Sequence, residues 1–236
     1  MAEAAIEVEV AIPGRGGVDG LWIAPPHARA ALVLAHGAGA GMRHAGMAAI
    51  ADGLADHGIA TLRFQFPYMQ AGGMQAGGGP PDRPPVAQAA VRAACAAIDG
   101  LAPALPLFAG GRSFGGRMTT EAQAALPLPG VRGLVLFAFP LHPAGKPGDS
   151  RARHLAEVGV PMLFLQGTRD ALAEMTLLRP ALARLGERAN LATIADADHS
   201  FHVRRSSGRG DAEAMAELVG LAAAWMIARA AAGPAD

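Results

Sequence analysis

The sequence predicts an α/β fold in which a mostly parallel sheet of about eight strands carries helices on both faces. Six short runs are apolar almost throughout, as strands covered on both faces are: residues 31–35, 59–64, 105–109, 133–139, 160–165 and 190–194. Helical patterns alternate with these runs, at residues 45–57, 86–100, 114–125, 151–158, 172–185 and 211–231. An alternation of buried strand and helix implies a mostly parallel sheet with helices on both faces.

Two further strands are predicted at the N-terminus. Residues 6–12 alternate Glu and Val with the period of a half-exposed strand. Residues 21–24 are expected to pair with them across a glycine-rich turn at 14–20. The sheet therefore begins with two antiparallel strands and continues with six parallel ones.

The composition predicts one domain over residues 1–236. Of the 236 residues, 51% are apolar, which is enough for a substantial core. The formal net charge is +0, so no broad electrostatic field favours nucleic acid or an anionic membrane surface. We therefore expect neither as a partner.

Cysteine content and the chain termini predict a cytoplasmic protein. Cys95 is the only cysteine, so an internal disulfide is impossible, which fits a reducing compartment. The first ten residues are acidic and lack a signal-peptide pattern. The late apolar run at 218–228 is interrupted by Gly220 and is shorter than the ~20 residues of a membrane span.

The most informative motif is Gly111-Arg112-Ser113-Phe114-Gly115, which fits G-x-S-x-G. In that motif the serine occupies a tight strand-to-helix turn, where side chains two residues before and after it would collide. An apolar strand pattern precedes Ser113 and a helical pattern follows it, as the motif requires. Ser113 is therefore the predicted nucleophile.

A nucleophilic serine needs a base and a group that orients the base. Asp170 follows one predicted strand and His199 follows the next, in the chain order Ser, acid, His. Asp170 would also suit the cap of a helix. His202 is a rival base, and Asp196 and Asp198 are rival acids, although neighbours of His199 in sequence are poorly placed to orient its ring.

Backbone N–H groups are expected to stabilise the negative charge that develops during attack. Phe114, directly after the nucleophile, supplies one N–H. The second is expected from the glycine-rich loop at residues 36–41, which follows the third predicted strand. We favour the Ala38 N–H, with that of Gly39 as the alternative.

The motifs HGAGAG, RFQFPYM, PPDRPP, GGRSFGGRM, FPLHPAGKP, LFLQGTRDALA and ADHSF resemble those of α/β-hydrolases. The resemblance is to the small lidless branch related to dienelactone hydrolases, and it covers about residues 32–207. Within that branch it is similar to bacterial predicted hydrolases that are related to testis-expressed hydrolase-like proteins and to an animal chromatin-complex subunit. The resemblance implies a triad of Ser113, Asp170 and His199 and implies no substrate. True dienelactone hydrolases use a cysteine nucleophile, whereas position 113 is serine.

The predicted function is therefore hydrolysis of a small ester or related acyl compound through an acyl-enzyme, without a metal or organic cofactor. The partner is a small-molecule acyl substrate. Residues that follow predicted strands are expected either to line the substrate pocket or to pack in the interior: Phe66, Tyr68, Phe139, Leu141, His142 and Phe201. Arg43, Arg112 and Arg169 lie close in sequence to the site, and one of them could bind a substrate carboxylate.

Three other functions remain open at this stage. A catalytically silent scaffold for protein interaction is one. NADP binding is another, because the glycine loop follows a strand and Arg63 ends the next one, although the spacing is G-x-G-x-G. A metal site at His36, His44, His199 and His202 is the weakest, since no ligand pattern joins them. The Gly- and Pro-rich segment 69–85 is predicted to be irregular, either as a rim of the site or as a surface insertion.

Overall fold

The computed structural model of the chain describes residues 4–72 and 80–232. These residues contain an eight-stranded sheet in the order β1-β2-β4-β3-β5-β6-β7-β8. Its strands are β1 Ile6–Ile12, β2 Gly16–Ile23, β3 Ala30–Ala35, β4 Ile59–Phe64, β5 Leu107–Arg112, β6 Val131–Phe137, β7 Met162–Gly167 and β8 Ala189–Ile194. The β1–β2 and β2–β4 pairs are antiparallel, and the remaining pairs are parallel. The predicted fold class is confirmed.

Helices cover both faces of the sheet. They are α1 Ala45–Asp56, α2 Pro67–Gln70, α3 Pro84–Leu101, α4 Phe114–Ala125, α5 Met175–Ala183 and α6 Asp211–Ala231. A short 3₁₀ helix, Ser150–Glu157, lies between β6 and β7. The segment between these two strands is too short for a lid domain, and the described residues form none.

Two apolar clusters, one on each face, hold the layers together. On one face α1 and α6 pack against the sheet, with Ile50, Leu218 and Phe108 among the buried members. On the other face α3, α4 and α5 pack against it, with Val91, Met118 and Leu178 in the cluster. Successive residues of a strand point to opposite faces, so strands buried on both sides must be apolar throughout. That requirement explains the six apolar runs of the sequence.

Helix α6 is long and apolar enough to cross a membrane when judged by length and composition alone. In the structure its apolar face packs against α1 and against β3, β6, β7 and β8. Leu218, Ala222 and Met226 of this face are fully buried. Packing of this kind is what a core helix of a globular fold shows.

Several predicted boundaries differ from the structure. The predicted helix at 151–158 is a 3₁₀ helix, and the predicted helix at 172–185 begins only at Met175, because residues 170–174 form a turn. The segment predicted as irregular at 69–85 is partly helical. Its first two residues belong to α2, and Pro84 and Pro85 form the first turn of α3, where a missing N–H costs nothing. Residues 73–79 of that segment lie outside the described residues.

The topology brings four loops to one edge of the sheet. Strands β3, β5, β7 and β8 are parallel, so the loops that follow them all start at the same edge. In sheets of this type, binding and reacting groups gather at the carboxyl ends of the strands. The four loops carry His36, Ser113, Asp170 and His199, respectively.

Candidate active site

Ser113 lies on a sharp turn between β5 and α4. Its backbone has φ 51° and ψ −113°, a conformation that non-glycine residues rarely adopt and that stores strain. A Cβ on Gly115 would lie 2.5 Å from the Ala35 carbonyl oxygen, and one on Gly111 would lie 2.4 Å from the same atom. Both motif glycines are therefore required by the close approach of the turn to the end of β3.

Ser113, His199 and Asp170 form a continuous chain of hydrogen bonds. His199 Nε2 lies 2.8 Å from Ser113 Oγ, and His199 Nδ1 lies 2.7 Å from Asp170 Oδ2. An ionised carboxylate only accepts, so the Nδ1 proton faces Asp170 and Nε2 offers its lone pair to the serine hydroxyl. This tautomer is the one that a general base for Ser113 requires.

Asp170 is buried and is held by three donors. Its side chain is 0% exposed. One carboxylate oxygen accepts from His199 and from Gln166 Nε2 at 2.5 Å, and the other accepts from the Leu172 backbone N–H at 2.8 Å. Because buried charge must be hydrogen-bonded, these donors keep the carboxylate in place behind the imidazole.

One of the two rival acids, Asp198, and the rival base, His202, have other partners. Asp198 Oδ1 accepts from the backbone N–H groups of Ser200 and His202, so its carboxylate caps the turn that carries His199. His202 Nδ1 pairs with Asp211 Oδ2 at 2.8 Å, and both side chains are exposed. Neither residue contacts Ser113 or the His199 ring through a hydrogen bond in the described part of the chain.

The glycine-rich loop after β3 lies directly beside the serine. A Cβ on Gly37 would be 3.9 Å from the Ser113 Cβ. Phe114 is the first residue of α4, so its backbone N–H has no partner within the helix. The two predicted donors, Ala38 and Phe114, therefore belong to segments that meet at the nucleophile.

Two buried side chains fix the direction of the peptide groups in this loop. His36 Nε2 accepts from the Phe66 N–H at 3.0 Å, so His36 Nδ1 carries the proton and donates to the Gly37 carbonyl oxygen at 2.7 Å. Burial lowers the pKa of His36 to about 4, which agrees with a neutral ring. In a trans peptide the C=O and the next N–H point in opposite directions. A fixed Gly37 carbonyl therefore also fixes the Ala38 N–H.

Tyr68 acts on the next peptide in the same way. Its hydroxyl donates to the Ala38 carbonyl oxygen at 2.7 Å, and burial raises the pKa of this phenol. The bond orients the Gly39 N–H, which is the alternative oxyanion donor. The same hydroxyl lies 3.4 Å from the Gly37 carbonyl oxygen, whose peptide carries the Ala38 N–H. The His36 and Tyr68 side chains were not identified from the sequence as supports of the loop.

Replacing Tyr68 by phenylalanine is expected to lower kcat for p-nitrophenyl acetate about tenfold with little change in KM. Complete loss of one oxyanion donor costs about 10²–10³ in kcat, and a donor that is only misdirected should cost less. Thr120→Val is the control, because it also removes a buried hydroxyl that is bonded to a backbone carbonyl, here that of Arg117; this hydroxyl also lies 2.8 Å from His154 Nε2. If both variants lose activity equally, Tyr68 contributes to stability alone.

The six side chains that were considered for the substrate pocket are all buried. Phe66, Phe139 and Leu141 are 0% exposed, and the other three are at most 5% exposed: Tyr68, His142 and Phe201. Surfaces that even water does not reach cannot line an open pocket, so interior packing describes these residues. Of the two alternatives that the sequence leaves open for these residues, this burial favours interior packing.

Among the cavities that border the described residues, a smaller one lies beside the glycine-rich loop after β3 and a larger one lies farther from Ser113. The smaller one has a volume of about 410 Å³ and is bounded by the glycine loop together with Arg43, His44 and Gln65. The larger, about 750 Å³, lies between α3 and the loops that precede β5 and β6, at the opposite edge of the sheet from Ser113. The smaller cavity borders the loop that carries the Ala38 and Gly39 N–H groups, whereas Ser113, Asp170 and His199 are not among its lining residues.

The three arginines near the site differ in their partners. Arg43 pairs with Glu7 at 2.7 Å, and Arg169 donates to the Asp196 carbonyl oxygen at 2.9 Å. Arg112 is half-buried beside the serine and donates to the Ser200 hydroxyl at 3.1 Å. Burial lowers the pKa of Arg112. No carboxylate of the described residues lies within 4.0 Å of the Arg112 guanidinium.

The residues considered for NADP binding and for a metal site make hydrogen bonds to the nearby backbone. Arg63, considered for a 2′-phosphate, is only 4% exposed and donates to the Met42 carbonyl oxygen. His44, considered as a metal ligand, accepts from the Gly46 N–H and so caps α1. Both contacts support the glycine loop and its junction with α1, and His44 also borders the cavity beside that loop.

The sheet order and the strained serine at the end of β5 are those of an α/β hydrolase, and the residues that the structure describes form no lid. Residues 28–227 match the family described as "Alpha/beta hydrolase domain", which is more than half of the chain. The chain therefore belongs to that family.

Solved structures of similar fold extend over nearly the whole chain. A dienelactone hydrolase from Anabaena variabilis has a TM-score of 0.76 at 20% identity and covers 97% of this chain and 99% of its own. A serine hydrolase without a lid from Xanthomonas campestris has a TM-score of 0.70 at 23% identity, with 97% and 96% covered. An esterase domain of a Rhodothermus marinus protein has a TM-score of 0.70 at 13% identity, with 96% and 98% covered. At these identities the likeness concerns the fold.

Proposed function

We propose that the protein is a serine hydrolase that cleaves a small ester or related acyl substrate. Ser113 Oγ attacks the carbonyl carbon while His199 Nε2 takes the hydroxyl proton. The Ala38 and Phe114 N–H groups donate to the oxyanion. His199 then protonates the leaving group, an acyl-enzyme remains on Ser113, and water activated by the same imidazole releases the acid.

One observation carries this proposal more than any other. The hydrogen-bond chain from Ser113 through His199 to Asp170 has both distances below 3.0 Å and the tautomer that a base requires. The serine is half-buried and the imidazole is 25% exposed, so a substrate can reach both. The serine also carries the backbone strain that accompanies nucleophile turns of this type.

The surroundings of Ser113 favour a short and polar substrate. The cavity of about 410 Å³ beside the proposed oxyanion loop is bounded by Arg43, His44 and Gln65, with Met69 as its largest apolar side chain. The aromatic side chains that would grip a long acyl chain are buried. Ester-cleaving and lactone-cleaving enzymes among the structural neighbours support the same reaction class. Arg112, with guanidinium donors beyond its bond to Ser200, is the arginine best placed to bind a substrate carboxylate.

We further propose that residues 1–236 form one domain and that the protein acts in the cytoplasm on a small molecule. The eight strands share one sheet, and the two apolar clusters run along its length. Cys95, the only cysteine, is buried as a free thiol, and burial raises its pKa to about 12. A thiol of this kind is inert in a reducing compartment.

The experiment that tests the proposal is covalent labelling with a fluorophosphonate, read by intact mass. We expect one adduct on the natural chain, because an activated serine attacks phosphorus as it attacks an acyl carbonyl. Ser113→Ala and His199→Ala should give no adduct. Ser200→Ala is the matched control, since it removes a neighbouring hydroxyl and should label like the natural chain.

The opposite result is equally informative. A folded natural chain that gives no adduct, or an adduct that persists in Ser113→Ala, would contradict the proposal. Absence of any adduct would favour the catalytically silent scaffold, and the next experiment would be a search for protein partners.

A further inference from the structure

A second histidine–carboxylate pair lies beside the turn that carries Asp170. His142, in the loop after β6, is only 1% exposed. Its Nε2 contacts Glu174 Oε2, and its Nδ1 lies 2.9 Å from the Pro143 carbonyl oxygen. Glu174 is the residue that precedes α5, and its side chain is 41% exposed.

The two partners determine the protonation of the His142 ring. A carbonyl oxygen and an ionised carboxylate both accept hydrogen bonds and cannot donate them. Each ring nitrogen of His142 must therefore carry a proton, which makes the ring an imidazolium. His36 shows the contrast, because its Nδ1 also meets a carbonyl oxygen but its Nε2 accepts from a backbone N–H. His36 is consequently neutral, whereas His142 is charged.

His142 holds the turn that carries Asp170. Its backbone N–H donates to the Leu172 carbonyl oxygen at 3.2 Å, while its ring binds Glu174 two residues further on. The Leu172 N–H, in turn, donates to Asp170 Oδ1. His142 is anchored on its own side, because Arg151 donates to the His142 carbonyl oxygen at 3.0 Å. Residues 170–174 are thus tied at both Leu172 and Glu174 to the loop after β6.

We propose that His142 is a buried imidazolium that positions the Asp170 turn through Glu174, and that its deprotonation imposes an alkaline limit on the hydrolase. The alkaline limit rests on the function proposed above, whereas the protonation state does not. His142 is a positioning residue, since it does not touch the substrate or the reacting atoms.

The physical reason for the alkaline limit is the loss of one donor. When the ring loses a proton, one of its nitrogens presents a lone pair to an oxygen lone pair, either that of Pro143 or that of Glu174. The contact of the His142 ring with that oxygen changes from attractive to repulsive. The turn at 170–174 then loses one of the hydrogen bonds that hold it to the loop after β6. Asp170 then holds the His199 ring less accurately, and small displacements of reacting groups reduce rates strongly.

The charges around His142 set the direction of its pKa. Burial by itself lowers the pKa of His142, and the charge of Arg151 lowers it further. The hydrogen bond to Pro143 and the hydrogen bond and charge of Glu174 raise it, and the net pKa lies above the ordinary value of 6.5. The hydrogen bond from His142 lowers the pKa of Glu174 below its ordinary value of 4.5.

The pH window follows from these directions. A raised His142 pKa means that the pair stabilises the fold fully below pH 6.5 and loses this effect as the pH rises through the folded-state pKa. A lowered Glu174 pKa means that the effect is present above pH 4.5 and is lost in more acidic solution. Both shifts describe one ion pair, which therefore acts most strongly between pH 4.5 and 6.5 and fades on the alkaline side.

The first test is the protonation state, which is independent of activity. Long-range ¹H–¹⁵N correlation spectra of the folded protein distinguish imidazolium from neutral imidazole. At pH 6, below the ordinary histidine pKa of 6.5, we expect one imidazolium signal that converts to neutral imidazole in Glu174→Gln, which assigns it to His142. The glutamine amide can donate to Nε2, so a neutral ring keeps both of its contacts. If no imidazolium signal responds to Glu174→Gln, the proposal is overturned.

The second test is the rate of fluorophosphonate labelling as a function of pH. In the natural chain we expect the rate to fall about tenfold above the His142 pKa, a magnitude typical of small misplacements. Glu174→Gln should abolish this alkaline fall, because its neutral ring stays bonded. Glu174→Ala should label about tenfold more slowly across the whole pH range, because the tie is lost at every pH.

Asp149→Asn is the matched control, since Asp149 and Arg184 join the same loop to the end of α5 through another ion pair at 2.5 Å. This variant should label like the natural chain at every pH. An alkaline fall that is unchanged in Glu174→Gln, or a Glu174→Ala variant that labels normally, would overturn the positioning role even if the ring is an imidazolium. A protein that is not labelled at all would overturn the hydrolase function, while the spectra would still decide the charge of His142.

Discussion

Ser113→Ala is expected to lower kcat for p-nitrophenyl acetate by at least ~10³-fold, and His199→Ala by a similar factor. Ser113 Oγ supplies the attacking oxygen, and His199 Nε2, 2.8 Å away, receives its proton. The Ser113→Ala/His199→Ala double variant should be no worse than either single variant, because groups that act as a unit lose their effect together. Steady-state kinetics on the three variants measure this directly.

Ser200→Ala serves as the control for this result, and the unfolding temperature of each variant shows whether it is folded. Ser200 is exposed and adjoins His199, so its removal tests whether any hydroxyl near the imidazole matters. Its activity should stay within a few-fold of the natural chain, as surface changes away from the reacting atoms usually have small effects. Additive losses in the double variant would mean that the serine and the histidine act separately, which contradicts the proposed mechanism.

The fold was predictable from the sequence because burial on both faces leaves little freedom. Five of the six parallel strands are buried along almost their whole length, whereas β8 at the sheet edge is half-exposed up to Ile194. Each of the six predicted runs overlaps an observed strand. The ends of the elements were less predictable. Strand β5 continues through Gly110 and Gly111 to Arg112, although glycine is usually unfavourable in strands. These glycines are present because the Val135 and Ala35 carbonyl oxygens lie too close for any side chain.

The late start of α5 has a similar origin in long-range contacts. The apolar pattern from Leu172 onward is helical in the sequence, yet residues 170–174 form a turn. In that turn Leu172 donates to Asp170 and accepts from His142, which is 30 positions earlier in the chain. Local propensity is a weak indicator when tertiary hydrogen bonds of this kind compete with it.

The residues of the site also divide into those that the sequence predicts and those that only the folded structure reveals. Ser113, Asp170 and His199 were predictable because their motif, their order and their positions after strands are all visible in the sequence. Gln166, which donates to Asp170, was missed, although a lone polar side chain near the end of an apolar strand was a usable signal. The bond from Tyr68 to the Ala38 carbonyl oxygen joins residues 30 positions apart and leaves no local pattern.

Asp170→Asn is expected to reduce kcat by about 10⁴-fold while leaving the fold intact, because it reverses the tautomer of His199. All three partners of Asp170 donate hydrogen bonds, so the new amide NH₂ group must face at least one donor. The Leu172 N–H belongs to the backbone and cannot become an acceptor. It therefore keeps the asparagine oxygen on its own side and directs the NH₂ group toward His199 and Gln166.

Both of those partners are able to adjust to the NH₂ group. Gln166 can rotate its amide and present Oε1, an atom that is buried without a hydrogen-bond partner in the natural protein as described. His199 can move its proton from Nδ1 to Nε2, so that Nδ1 accepts. The variant is then fully hydrogen-bonded, but Nε2 now carries a proton toward Ser113 and cannot act as its base. Asp198→Asn is the matched control, since it preserves the acceptor of the turn and should keep kcat within a few-fold. If Asp170→Asn retains more than a tenth of the natural kcat, Asp170 does not set the tautomer and the base would have to be oriented by another group.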